Sequence, residues 1–195
     1  MSYSLPPIHK SISVSWSPEA AFHRFVNEMG SWWPKSALSI GGERIARIVF
    51  EPNVGGLIYE QHNDGRRFQW GRVLEYQPPH RVVFAWHPTK EESTAQNVEV
   101  LFAPEGNGTH VTLISSNWER LGKDAKGARR GYDMGWEFVL NRWAERRTGK
   151  MMMTSLLFFV VSVLHKVFVG RDKAIAKARG EILVNSGGQA SKPAH

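Results

Sequence analysis

An α+β fold is predicted for this chain of 195 residues: one antiparallel sheet followed by a long helix. Three observations carry that expectation. From Arg44 onward, short segments alternate apolar with polar residues, as strands with one buried face do. Turn chemistry separates them, with "NDG" and "PEGNG" as the hairpin signals. Between Lys123 and Arg147 the period returns to that of a helix, with its apolar residues on one stripe.

Taken in order, Ser11, Ser13 and Ser15 alternate with Ile12, Val14 and Trp16, which predicts a first strand. Ser17 ahead of Pro18 and Glu19 is an N-cap with proline at the first helical position. Phe22, Phe25, Val26 and Met29 then recur at i, i+3, i+4 and i+7, so a short amphipathic helix is predicted. Gly30 is expected to end it, and Pro34 stops any continuation past Trp32 and Trp33. Six strands follow: "RIARIVFE", "LIYEQH", "RRFQWGRVLEY", "HRVVFAWH", "QNVEVLFA" and "THVTLISSNW". Gly55 and Gly56 in "PNVGG" read as positions of sharp curvature or a bulge. On the long helix Ala128, Tyr132, Gly135, Trp136, Val139, Leu140 and Trp143 share one stripe, with Arg129, Arg130, Asp133, Glu137, Asn141 and Arg142 opposite.

Charge and composition exclude several classes of function. The net charge is +7, but Met1 to Glu145 holds sixteen basic and sixteen acidic residues, so the whole excess lies beyond Glu145. A neutral body with a cationic tail argues against a nucleic-acid partner. Without cysteine there is neither a disulfide nor a thiolate metal site. The eight histidines include no i, i+4 pair and no HxH, and no GxSxG elbow or phosphate-cradling loop occurs; neither a metal nor a cofactor is expected. The first residues do not read as a secretory signal, and a cytoplasmic location is expected.

The segments "SPEAAF", "WWP", "EPNVGG", "DGRRFQWGRVLEYQPPHRVVFAW", "GNGTHVTL" and "GYDMGWEFVL", in this order, resemble the SRPBCC superfamily. Within it they are most similar to the branch named after the activator of the ninety-kilodalton heat-shock chaperone's ATPase. The resemblance covers residues 8–147. It implies the helix-grip arrangement, a curved antiparallel sheet wrapped around a long C-terminal helix, with an apolar cavity between the two. Members of the superfamily bind lipids, polyketides, hormones or quinones there, and a few are cyclases or hydrolases.

Strand parity supports an aromatic wall. Phe68 and Trp70 share one face of their strand, Phe84 and Trp86 one face of the next, and Tyr132 and Trp136 of the helix are placed to meet them. Trp32 and Trp33 fall on the loop that would cover one end, as a lid over the cavity or as part of a filled core. Polar candidates are few. Glu60 and His62 alternate on one face of "YEQH" and are the catalytic candidates, since a His beside a carboxylate can act as a base. Arg72, Glu75, His87 and His110 lie on neighbouring strands, and for all six an exposed structural role is the competing expectation. The leading expectation is a non-catalytic module that binds a small hydrophobic ligand or a protein client. The alternatives are a cyclase- or hydrolase-type enzyme using the same cavity, and a co-chaperone that stimulates a heat-shock chaperone ATPase.

Residues 148–195 form an extension beyond the resemblance. Met151 to Leu164 is a run of 14 residues without a charge, about 21 Å as a helix against roughly 30 Å of bilayer hydrocarbon. Basic residues flank it on both sides, so contact of residues 151–179 with an anionic membrane surface is expected, peripheral or as a tail anchor. A helix packed on the body or on a second copy is the competing expectation, and "NSGGQASKPAH" reads as a disordered end.

Overall fold

The computed structural model describes residues 4–88 and 90–145, all within the first of the two units into which the chain divides, Met1–Leu156. The tail expected to meet a membrane lies outside the described residues. Among those described, no helix is long and apolar enough to cross a bilayer.

Seven strands form one antiparallel sheet: β1 Ile8–Val14, β2 Ile45–Phe50, β3 Leu57–His62, β4 Arg67–Gln77, β5 Arg81–Trp86, β6 Gln96–Glu105 and β7 Gly108–Ser116. Their order across it is β1-β7-β6-β5-β4-β3-β2. The hairpins from β2 to β7 place sequence neighbours side by side, and β1 closes onto β7 with Ile8 opposite Ser115 and Val14 opposite Thr109. The chain crosses from one edge of the sheet to the other through three helices, α1 Pro18–Val26, α2 Met29–Trp32 and α3 Lys35–Leu38. The long helix α4, Ala125–Trp143, then lies against the sheet as the helix-grip arrangement requires.

The strand alternation is visible in burial. In β6 the buried side chains are Gln96, Val98, Val100 and Phe102, and in β7 Thr109, Val111, Leu113 and Ser115, each set two residues apart. Ser17 caps α1 by accepting from the Ala20 N–H at 3.3 Å, with Pro18 at the first turn. On α4 the predicted stripe is the buried one, with Trp136, Val139, Leu140 and Trp143 in the core. Lys10 points from β1 towards that helix and pairs with Asp133 at 3.2 Å and Glu137 at 3.5 Å.

Three local expectations are corrected. Gly30 does not end the first helix: α1 stops at Val26 with Asn27 as its cap, and Gly30 sits inside α2. A Cβ on Gly30 would stand 3.0 Å from the carbonyl oxygen of Ile48, so glycine lets this turn close on β2. Pro34 breaks the helical path but also starts α3, a turn the sequence pattern did not predict. The last strand ends at Ser116, because Asn117 adopts a left-handed conformation (φ 65°) and Trp118–Asp124 forms a 3-10 turn that redirects the chain into α4. Gly55, with φ 83°, stands in the turn between β2 and β3, the sharp bend expected of "PNVGG".

Candidate functional site

Between sheet and helix the aromatic residues form two ring groups joined by the consecutive tryptophans of the α2–α3 segment. Trp32 turns one way: its ring lies 5.3 Å from Phe25, and its indole N–H donates to the Arg24 carbonyl at 2.8 Å. Phe25 and Phe102 in turn meet Trp143 edge-on. Trp33 turns the other way and meets Trp70 at 5.2 Å and Trp86 at 5.6 Å. From Trp86 the contacts run on to Phe84 at 5.8 Å and Trp136 at 5.7 Å, and from Trp136 to Tyr132 at 6.2 Å. Strand, helix and loop thus each contribute rings to one apolar patch. The register explains why β4 and β5 deliver theirs together, since Gly71 stands opposite Trp86 and Val73 opposite Phe84. A bulge in β4, where Ile58 pairs with Gly71 but Tyr59 with Gln69, brings Trp70 into the same interior.

Phe68 stands apart from this run. It lies against the imidazole of His62 with 4.4 Å between ring centroids. Parity alone linked Phe68 to Trp70, but the bulge between them separates their surroundings.

The exposed role weighed for Glu60 and His62 is overturned: Glu60 is 0% and His62 3% exposed. They face inward on β3 beside Ile58, not outward on its solvent face. Glu60 Oε2 accepts from the Ile40 N–H at 3.0 Å, and Oε1 from the Gly41 N–H at 2.7 Å. His62 Nε2 lies 2.6 Å from the same Oε1. A carboxylate already holding two backbone N–H groups acts as an acceptor, so Nε2 carries the proton between them. His62 Nδ1 is buried and has no hydrogen-bonding partner among the described residues. The loop after α3 lies directly on the pair, for a Cβ on Gly41 would fall 2.3 Å from His62 Nε2. The consequence is an imidazole oriented through one nitrogen and free at the other, the arrangement of a general base with its orienting carboxylate.

The remaining polar candidates do not converge here. His87 is also buried, but its Nδ1 lies 3.2 Å from the Lys90 carbonyl and its Nε2 3.4 Å from Gln69, which accounts for both nitrogens. Arg72 pairs with Glu92 at 3.2 Å and Glu75 with Arg81, both in exposed positions. His110 Nδ1 faces Ser13 Oγ at 3.2 Å and Glu105 at 3.6 Å, so one nitrogen meets both groups and no proton relay runs through the ring. Among the described residues no group of three or more His, Asp or Glu is placed to hold a metal. A groove of about 200 Å³ opens elsewhere, between β1 and α4, lined by Lys10, Ile12, Glu137 and Leu140.

Burial pushes the phenol of Tyr132 up to about 12, with a smaller opposing pull from a hydrogen bond with Trp86. Its unfolded value is about 10. Its contribution to stability is therefore full below pH ~10 and is lost as pH rises towards 12, because the unfolded chain releases the proton first. Urea titrations across that window should show wild-type stability falling with pH, and Tyr132→Phe falling less steeply. Equal slopes would place Tyr132 in water.

Comparison with known proteins agrees with this architecture. No functionally curated protein matches the chain. Among solved structures, an anthrahydroquino-γ-pyrone synthase, Txn09, determined as a complex, is 32% identical, with 75% of this chain and 100% of its own covered and a TM-score of 0.52. A Bacillus halodurans protein is 18% identical, with 74% and 99% covered and a TM-score of 0.54. A Mesorhizobium loti protein is 17% identical, with 72% and 95% covered and a TM-score of 0.53. These last two share the fold. The profile of the activator of Hsp90 ATPase homolog 1-like proteins matches residues 16–145, so the chain belongs to that family of the SRPBCC superfamily.

Proposed function

We propose that the protein holds a small hydrophobic ligand between the sheet and α4, against the rings of Trp33, Trp70, Phe84, Trp86, Tyr132 and Trp136. The observation that carries this reading is the unbroken run of ring contacts from the α2–α3 segment to the long helix. Trp32 anchors the segment, and Trp33 serves as the lid. In the structure the rings touch one another, so the ligand enters by displacing one of them. Trp33 is the one that can move at least cost, because it follows a helix of four residues, whereas its neighbours stand in strands and in a helix of nineteen. Native mass spectrometry of protein purified from its own host should reveal a bound mass that is released on denaturation. An empty protein that also fails to bind menadione, methylnaphthalene and palmitate would overturn the reading.

A second reading is an enzyme acting beside Phe68, with His62 Nδ1 as the base and Glu60 as its orienting partner. Two observations favour it: the inward, hydrogen-bonded pair, and the likeness at 32% identity to a synthase named for an anthrahydroquino-γ-pyrone. On this reading His62→Gln abolishes turnover while the ligand is still retained; loss of retention with the same variant would count against a catalytic role. A co-chaperone function has no support beyond the family's description.

A further inference from the structure

We infer that the patch around Trp86 takes an aromatic ligand bearing carbonyl oxygens and discriminates against alkyl chains, an inference that rests on the ligand-binding reading above. The indole N–H groups of Trp33, Trp70 and Trp136 are buried and have no acceptor among the described residues. The three side chains are 6%, 1% and 3% exposed, so bulk water does not serve them. Buried tryptophan usually finds a partner for this group, and leaving one unpaired costs stability. All three rings contact the ring of Trp86, at 5.6, 5.7 and 5.7 Å, so the unpaired donors belong to one patch. Trp86 itself is engaged with Tyr132.

A surface of ring faces with three unpaired indole donors is complementary to a rigid aromatic frame carrying acceptor oxygens. An alkyl chain would fill the volume and leave every donor unpaired. Moving Trp33 aside to admit the ligand breaks no hydrogen bond of its indole, because it has none to break.

Titration calorimetry of the full chain with menadione, methylnaphthalene and palmitate tests this. Menadione and methylnaphthalene share a frame and differ in the two carbonyl oxygens. Menadione should bind at least about tenfold tighter, the worth of one or two recovered hydrogen bonds. Trp33→Phe and Trp70→Phe keep a ring and remove the donor, so each should weaken menadione several-fold more than it weakens methylnaphthalene. Trp143→Phe is the control, since its unpaired N–H lies in the other ring group beside Phe25 and Phe102. Should Trp70→Phe fail to fold, Trp33→Phe, outside the strands, carries the comparison. Equal affinity for the two aromatic probes, or indifference to both Phe variants, overturns the inference and implies that buried water satisfies the donors. Palmitate binding without either aromatic probe overturns the inference but keeps the ligand reading; no binding by any of the three removes both.

Discussion

Trp143→Ala is expected to lower stability by about 3–5 kcal/mol, the cost of emptying a fully buried tryptophan site. Trp143 is wholly enclosed at the C-terminal end of α4, where its ring meets Trp16 at 5.3 Å, Phe25 at 5.8 Å and Phe102 at 6.3 Å. Its backbone carbonyl also accepts from the Arg24 guanidinium, which in turn pairs with Glu145 and lies 4.9 Å from the Trp16 ring. One side chain therefore ties the β1–α1 connection, α1 and β6 to the end of the long helix. A drop in melting temperature on the order of 10 °C should accompany the loss, measured by calorimetry with urea denaturation as a check. Trp143→Phe should recover more than half, since a ring remains and an unpaired N–H is removed. Menadione affinity should survive in both variants at temperatures where they stay folded. A melting point within two or three degrees of wild type in the Ala variant would mean that this end of the core is less tightly packed than described.

Glu60→Ala is the second large effect, at about 3 kcal/mol or more. The carboxylate is fully buried and is the acceptor for Ile40 N–H, Gly41 N–H and His62 Nε2 at once, so alanine strands three donors. Glutamine should cost less than alanine but more than nothing, because one of its two terminal atoms becomes a donor facing another donor. The loss should be local as well as global. Amide hydrogen exchange at Ile40 and Gly41 should accelerate ahead of the strands, since the loop after α3 loses its attachment to β3. His62→Ala removes only one partner and should cost less than Glu60→Ala, and the double variant should cost less than the sum of the two. Strict additivity, with unchanged exchange at residues 40 and 41, would mean that Glu60 does not hold the loop.

The same pair shows where sequence reasoning reached its limit. Alternation in "YEQH" puts Glu60 and His62 on one face, but alternation has no sign, and polar residues on an antiparallel strand ordinarily face water. What turned that face inward is the remote loop at Ser39–Gly42, whose backbone N–H groups supply the partners a buried carboxylate needs. Nothing in the spacing of these residues announces that contact.

Much else was legible locally. The strand count, both hairpins and the buried stripe of α4 follow from periods of two and 3.6 and from turn chemistry, because each depends on residues only a few positions apart. The charge division at Glu145 is likewise a property of the sequence alone. Tertiary structure decided how Trp32 and Trp33 part company, one into the core at Phe25 with its N–H satisfied, the other onto Trp70 and Trp86 with its N–H free. Adjacent residues carry identical side chains here, so no local pattern distinguishes them. Their fates differ because Pro34 breaks the helical path just after Trp33, whose extended backbone (ψ 132°) accompanies the turn of its side chain towards the sheet interior.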